Sequence, residues 1–286
     1  MKDNIGIKGL LLALLLSHFS CFICEAQVTY QKADSIKICQ MLKAANRQTT
    51  VLTLARQFMD VPYVGQTLEV NDNEQLVVNT RQLDCTTLVE TVAALKLCAQ
   101  ADKHQWSDYL AALRSLRYRQ GVLDGYTSRL HYFSDWIRDN VQMQLVKDIH
   151  QPNPPFSALQ RLNINFMSTH PESYRSLKEH PEQVPVIRQQ EKDLTGRSYQ
   201  YIPKSAIKNT QLLRQTIKDG DILAITCNKK GLDIAHLGFA VWRKDGLHLL
   251  NASQLHKKVV EGPMTLYQYM LQHKTFTGIR VVRIKE

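Results

Sequence analysis

The sequence predicts an α+β fold in which helices come first, a run of antiparallel strands comes last, and a helix beginning at Cys85 lies against the sheet. Three observations predict it. The stretch LDCTTLVETVAALKLCAQ repeats Leu88, Val92, Leu95 and Ala99 at helical spacing, with Asp84 placed to cap it and no Gly or Pro inside. In the last third, AHLGFAVW sets His236, Gly238, Ala240 and Trp242 on one face and Leu237, Phe239 and Val241 on the other. A Lys244-Asp245-Gly246 turn then leads into LHLLNAS, while DILAIT before it and residues 279–284 after it read as further strands.

The opening MKDNIGIKGLLLALLLSHFSCFICEAQ has the layout of a signal peptide: Lys2 and Lys8, an apolar run from Gly9 to about Phe19, then small residues up to Ala26. The run is too short to span a bilayer, so cleavage after Ala26 and export to the periplasm are expected, with no membrane attachment afterwards. Lipid anchoring through Cys21 is the weaker alternative, because His18 and Phe19 stand where small or aliphatic residues belong.

Along residues 27–286, expected to be one domain, residues 31–59 give two helical segments broken by the polar 46–50. Pro62 and Gly65 force a loop in VPYVGQTLE, where the Tyr63 hydroxyl could face a substrate near Cys85. A short strand over 74–80 leads to the Cys85 helix. Residues 106–116 and 132–141 read as helices, and between them Arg129 and His131 lie close to Gly-bearing turns, where substrate contacts often sit. Prolines in QPNPPFSAL and THPESYRSLKEHPEQVP make residues 100–215 a helical insertion and connector, and YIPKSAIKN returns the chain to extended structure.

The formal net charge is +10 and survives loss of the leader, since Lys2 and Lys8 offset Asp3 and Glu25. Aromatics at 8% and the absence of a basic run longer than two residues argue against nucleic acid; an anionic cell-wall polymer fits better. Four cysteines follow the leader: Cys39, Cys85, Cys98 and Cys227. If Cys85 is a nucleophile it stays unpaired, and Cys39 with Cys98 is a conceivable bridge. No CxxC or clustered His suggests a metal.

Cys85 opens its helix, where unpaired N–H groups and the helix dipole favour a thiolate. A thiol nucleophile needs a base and a group to orient that base. Among ten histidines, His236 stands out because it opens an alternating strand, with Gly238 leaving space beside it. Hairpin arithmetic offers two orienting partners on the same face: a two-residue turn pairs Asn251 with Ala240, a four-residue loop pairs Ser253 with His236, and in either register Asn251 reaches the histidine only diagonally, through twist or a bulge.

Thiol, then histidine, then asparagine is the order of papain-like cysteine hydrolases. PYVG, LDCTTLVE, GDI, HLGFAVW and LLNAS resemble, in order, the hallmarks of NlpC-type peptidoglycan amidases. More closely, VPYVGQTLE, LDCTTLVE, RYRQGVLDGYTSRLHYFSDW, YIPK and KGLDIAHLGFA resemble the N-acetylmuramoyl-L-alanine amidase-like branch. The resemblance implies a papain-like fold and hydrolysis of the bond joining N-acetylmuramic acid to L-alanine in peptidoglycan fragments with 1,6-anhydro ends. It makes Cys85 the nucleophile, His236 the base and Asn251 the orienting group, although relatives in the wider family often carry His at the third place. Tyr63 and Asp84 would shape the cleft, and Ser128, Arg129 and His131 would contact sugar or peptide. A monomer without metal or cofactor is expected. The alternatives are a γ-D-glutamyl-diamino acid endopeptidase and a non-catalytic cell-wall binding protein on the same fold.

Overall fold

The computed structural model describes residues 28–285; the leader and Cys21 lie outside the described residues. In chain order the elements are β1 (Val28–Thr29), α1 (Lys32–Ala44), α2 (Val51–Arg56), β2 (Leu76–Val77), α3 (Cys85–Gln100), α4 (Trp106–Arg117) and α5 (Phe133–Gln142). There follow β3 (Val146–Ile149), β4 (Ala158–Arg161), α6 (Phe166–Thr169), α7 (Arg175–Glu179), α8 (Val184–Leu194), β5 (Ser198–Pro203) and α9 (Gln211–Thr216). The chain closes with β6 (Ile222–Cys227), β7 (Ile234–Trp242), β8 (Leu247–Ser253), β9 (Lys258–Glu261), α10 (Leu266–Leu271) and β10 (Phe276–Ile284).

Helices early and antiparallel strands late are therefore what the chain forms. The main sheet has eight strands in the order β4-β5-β10-β6-β7-β8-β9, with β3 also paired to β10, and each of its pairings is antiparallel. Alternation sorts the side chains. Leu237, Phe239 and Val241 of β7 face the core shared with α3, whereas Ala240 joins Leu247, Leu249, Leu266 and Met270 on the α10 side.

α3 is enclosed on nearly every side. Twelve of its sixteen residues are buried, from Thr87 through Ala99, because α1, α2 and α4 cover it on one side and β7 and β8 on the other. A helix apolar nearly all round belongs inside, and each buried Leu or Val here contributes about 1.5–3 kcal/mol. Its two charged residues are satisfied locally. Glu90 accepts from Arg117 Nε at 2.7 Å, both side chains being almost fully buried, and Lys96 donates to the Arg47 and Thr49 carbonyls.

The segment 100–215 departs from a purely helical insertion. It holds α4 to α9, but β3 and β5 pair with β10 and so build the main sheet. β3 escaped notice because VKDI is four residues long and half charged, and β4 because ALQR is as short; the end of β5 lies in the YIP that was expected to be extended. The segment also has a small core of its own, in which Tyr132, Leu162, Met167, Leu177 and Ile187 pack together. The four cysteines are free, so the Cys39–Cys98 bridge does not form. Among the described residues no helix is long and apolar enough to cross a membrane.

Asp34 fixes the approach to α3. It is fully buried, and its carboxylate accepts from Thr80 N–H and hydroxyl (both 2.8 Å), from Gln31 N–H (2.9 Å) and from Arg81 Nε (3.2 Å). Burial alone would raise its pKa, but these donors together hold it below the usual carboxylate value. A depressed folded pKa gives stability that is present above the unfolded value and lost as pH falls through the folded one. Asp34→Ala is therefore expected to cost about 2–4 kcal/mol at pH 7 in chemical denaturation, with the gap to the unaltered protein narrowing below about pH 4.

Candidate active site

Three elements converge at the start of α3. Asp84 caps the helix: Thr87 N–H donates to its Oδ1 at 2.8 Å, and Asp84 N–H donates back to Thr87 Oγ1 at 2.9 Å. Cys85 is thus locked as the first helical residue. The preceding loop is pinned as well, since Tyr63 N–H donates to the Lys257 carbonyl and Leu83 N–H to that of Pro62. This leaves Tyr63 half-buried, with Cys85 and Asp84 near enough that their charges add to burial in raising its phenol pKa.

The second element is β7. Opposite β6 it carries one extra residue, Ala235, because His236 pairs with Ile225 while Ile234 pairs with Thr226. A bulge at that place re-aims the next side chain, His236. Asp233, just before the strand, accepts from the N–H groups of Ser134 at 2.6 Å and Ile234 at 2.8 Å. It therefore caps α5, whose own leading residue Tyr132 makes no side-chain cap, and ties the start of β7 to it.

The third element is β8. The hairpin has the four-residue loop 243–246, with Trp242 opposite Leu247 and Phe239 opposite Leu250, so Asn251 lies diagonally across from His236. Asn251 nevertheless reaches the ring: its Nδ2 is 2.8 Å from His236 Nε2. Gly238 makes the approach possible. The space beside it is not open, because a Cβ there would meet Leu249 Cγ and the Leu250 carbonyl oxygen, each at 2.7 Å.

Cys85 and His236 line one cavity of about 220 Å³. The N–H of Leu237, one residue past the histidine, the Thr86 hydroxyl and the N–H of Cys85 itself are donors whose effect is to favour the ionised sulfur. These donors do not make a free thiolate. Burial first, then the Asp84 charge, push the thiol up to about 12, reversing the lowering expected from the helix terminus alone. Burial likewise pulls His236 down to about 4, with His273 adding to the effect. Each group taken alone is neutral at pH 7.

Opposite the thiol, the wall comes from Tyr132 and Phe133 at the start of α5 and from Met167 and Tyr174 of the insertion. The Tyr132 hydroxyl knots the two together, donating to Glu191 at 2.7 Å and accepting from Met167 N–H at 2.9 Å. His131 is on the same wall. Its Nε2–H donates to the Tyr126 carbonyl at 2.9 Å, and burial with the Arg129 charge pulls it down to about 3, leaving a neutral ring with Nδ1 as acceptor.

Ser128 and Arg129 stand apart from this wall. Ser128 Oγ accepts from Asp124 N–H and donates to the Gly125 carbonyl, closing a turn. Arg129 is buried, its Nη2 bonded to Glu69 at 3.0 Å and Glu74 at 2.9 Å, with its guanidinium over the Tyr126 ring. Two carboxylates on Nη2 already meet the guanidinium's charge and hold it within the protein. The sequence reading did not single out Asp233, Tyr132, Met167 and Tyr174; Asp233 and Tyr132 stood inside quoted motifs, whereas Met167 and Tyr174 are placed by the folding of the insertion.

The comparisons agree with this architecture. A profile described as N-acetylmuramoyl-L-alanine amidase-like matches residues 53–279. The chain belongs to the N-acetylmuramoyl-L-alanine amidase-like family. Among solved structures, an N-acetylmuramoyl-L-alanine amidase from Bacteroides uniformis is 41% identical with a TM-score of 0.77, over 83% of this chain and 99% of that one. A Bacteroides fragilis protein named "putative xylanase" is 44% identical with a TM-score of 0.76, over 81% of this chain and the whole of that one. A Legionella pneumophila protein at 23% identity and a TM-score of 0.69, over 89% and 95% of the two chains, shares the fold. Comparison with curated protein sequences gives no match. An amidase-like protein of this family has peptidoglycan-derived material as its expected substrate.

The Gly238 contact yields a test of the site's geometry. Gly238→Ala is expected to destabilise the protein by about 1–3 kcal/mol in thermal or chemical unfolding and to separate Asn251 from His236, seen as altered imidazole NMR resonances.

Proposed function

We propose that the chain is a cysteine amidase of papain-like fold that splits the N-acetylmuramoyl-L-alanine bond of small, 1,6-anhydro-ended peptidoglycan fragments after export to the periplasm, acting as a monomer without a metal. The observation that carries this reading is the single cavity lined by the Cys85 thiol and the His236 imidazole, with Asn251 bonded to the far ring nitrogen. Because Asn251 occupies Nε2, Nδ1 is the nitrogen left for the thiol. An Asn251 N–H at Nε2 would put the ring proton on Nδ1; turning the amide by 180° presents Oδ1, makes Nε2–H the donor and frees Nδ1 to act as base.

The chemistry then follows as acyl transfer. Neither group ionises readily alone, so thiolate and imidazolium form together, each the other's counter-ion. His236 Nδ1 takes the thiol proton as sulfur attacks the lactyl carbonyl of the muramic acid, and the oxygen that gains negative charge is held by Cys85 N–H. The imidazolium gives its proton to the departing L-alanine nitrogen as the C–N bond breaks. A water molecule, deprotonated by His236, attacks the thioester and releases the muramoyl carboxylate and the thiol.

The cavity favours the sugar half of the substrate. Its described lining carries no Lys or Arg to match stem-peptide carboxylates, but it has the rings of Tyr132, Phe133 and Tyr174 on which an uncharged sugar can lie. A glycosidase, as the name of the Bacteroides fragilis structure suggests for that protein, requires two carboxylic acids about the bond. Asp233 is the carboxylate of this lining, and both its oxygens are taken by N–H groups.

Purified protein given anhydro-muropeptides is expected to release free stem peptide from the sugar, followed by mass spectrometry; cleavage inside the stem instead identifies an endopeptidase, and no product a binder. Cys85→Ala is expected to abolish turnover with the melting temperature essentially unchanged. Asn251→Ala is expected to lower kcat/KM about 10- to 100-fold, the effect of losing one buried hydrogen bond to a group that becomes charged. The working base is neutral His236, so kcat/KM rises with pH through its lowered value; the acid limb should lie near pH 4 rather than 6.5, and a limb at 6.5 contradicts the assignment.

A further inference from the structure

Residues beyond the thiol, the imidazole and the amide bear on the site from α10. Tyr269 projects from that short helix, half-buried, with its ring centre 6.4 Å from that of His236. Its back is braced by the edge of His273 at 4.9 Å and by Phe276 at 6.0 Å, and these two stack on each other at 4.4 Å. The ring is therefore held rather than free. Tyr269 and Asn251 also share the wall of a second, small cavity of about 20 Å³, on the side of the hairpin away from α3. That volume is enough for about one water molecule.

The same ring thus lies beside both partners of the Asn251–His236 hydrogen bond. Burial pushes its phenol up to about 12, with Cys85 contributing. We propose that Tyr269 is a positioning residue: its aromatic ring seals the Asn251–His236 hydrogen bond from water and so keeps the imidazole a neutral, correctly oriented base. The proposal rests on the reading of His236 as the base, but its effect on the ring exists without any substrate.

Groups facing His236 from each neighbouring element define what else titrates nearby. Cys85 and Asp84 approach from α3, Tyr63 from the loop before β2, Asp233 from the start of β7 itself, and His273 from the end of α10 with Lys229 and Lys204 behind it. Burial and those two lysines keep His273 below its ordinary value, so it is neutral near pH 7 and adds little charge there. Removal of the Tyr269 ring changes none of these charges. It changes water access, which stabilises the imidazolium and raises the pKa of His236.

The test compares the full chain with Tyr269→Phe and Tyr269→Ala, following the His236 ring by NMR across pH with no substrate present. In Y269A the titration midpoint is expected to rise by about one unit or more toward 6.5, while Y269F keeps the original midpoint because the ring remains. Where turnover is measurable, the acid limb of kcat/KM should move by the same amount in Y269A. Should Y269A fail to fold, Tyr269→Leu, which keeps apolar packing on Phe276 but not the reach to His236, carries the same expectation. An unmoved midpoint in the folded Ala or Leu variant overturns the proposal, and an equal rise in Y269F overturns it by assigning the effect to the hydroxyl. Loss of muropeptide cleavage with the NMR shift intact would instead count against the amidase reading alone.

Discussion

The site depends on one packing contact: the first turn of α3, which carries Cys85, lies against the start of β7, which carries His236, so a helix terminus and a strand start wall a single cavity. Residues 85 and 236 are far apart in the chain, and neither can be placed without the other element. Burial supplies the force. α3 is enclosed by α1, α2, α4, β7 and β8, and shifting its first turn would uncover a column of Leu and Val side chains. The Asp84–Thr87 capping box then fixes which residue begins the helix, which is a matter of hydrogen-bond geometry rather than burial.

Electrostatics follow from the same enclosure. Charges near the thiol are few, and most of the strong ones are spent elsewhere: Glu90 on Arg117, Glu69 and Glu74 on Arg129, Asp233 on two backbone N–H groups. What remains is a thiol and an imidazole that each prefer neutrality. In the proposed mechanism such a pair ionises only when a carbonyl enters the cavity and gives the developing charge somewhere to go. Free Cys39, Cys98 and Cys227, by contrast, have no comparable set of partners; Cys98 sits on the covered face of α3 and Cys227 at the end of β6.

Much of this was legible because the decisive signals are local. Asp84 before Cys85, the strict alternation of 235–242 and the turn at 244–246 are properties of a few adjacent residues, and counting the loop put Asn251 and Ser253 on the face of His236 without choosing between them. The Ala235 bulge was not legible, since nothing in DIAHLG distinguishes a strand residue from an extra one until β6 pairs beside it. Arg129 misled for a related reason: a basic residue beside a turn looks available, and only the fold brings Glu69 and Glu74 onto it. The cavity wall of Met167 and Tyr174 depends on how the insertion folds over α5, which is long-range packing with no motif of its own.

The choice of asparagine at 251 fits this charge balance. Asn251 is buried against His236, and Asp84 already opposes ionisation of the thiol. A carboxylate at 251 would favour a protonated imidazole at rest, filling the nitrogen that takes the thiol proton in the proposed mechanism. A second negative charge beside the sulfur would raise the thiol further still. An amide orients the ring through the same hydrogen bond and adds no net charge, so the base stays empty until it is used, and the ring of Tyr269 on its outer side acts in the same direction by keeping water from stabilising the charged form.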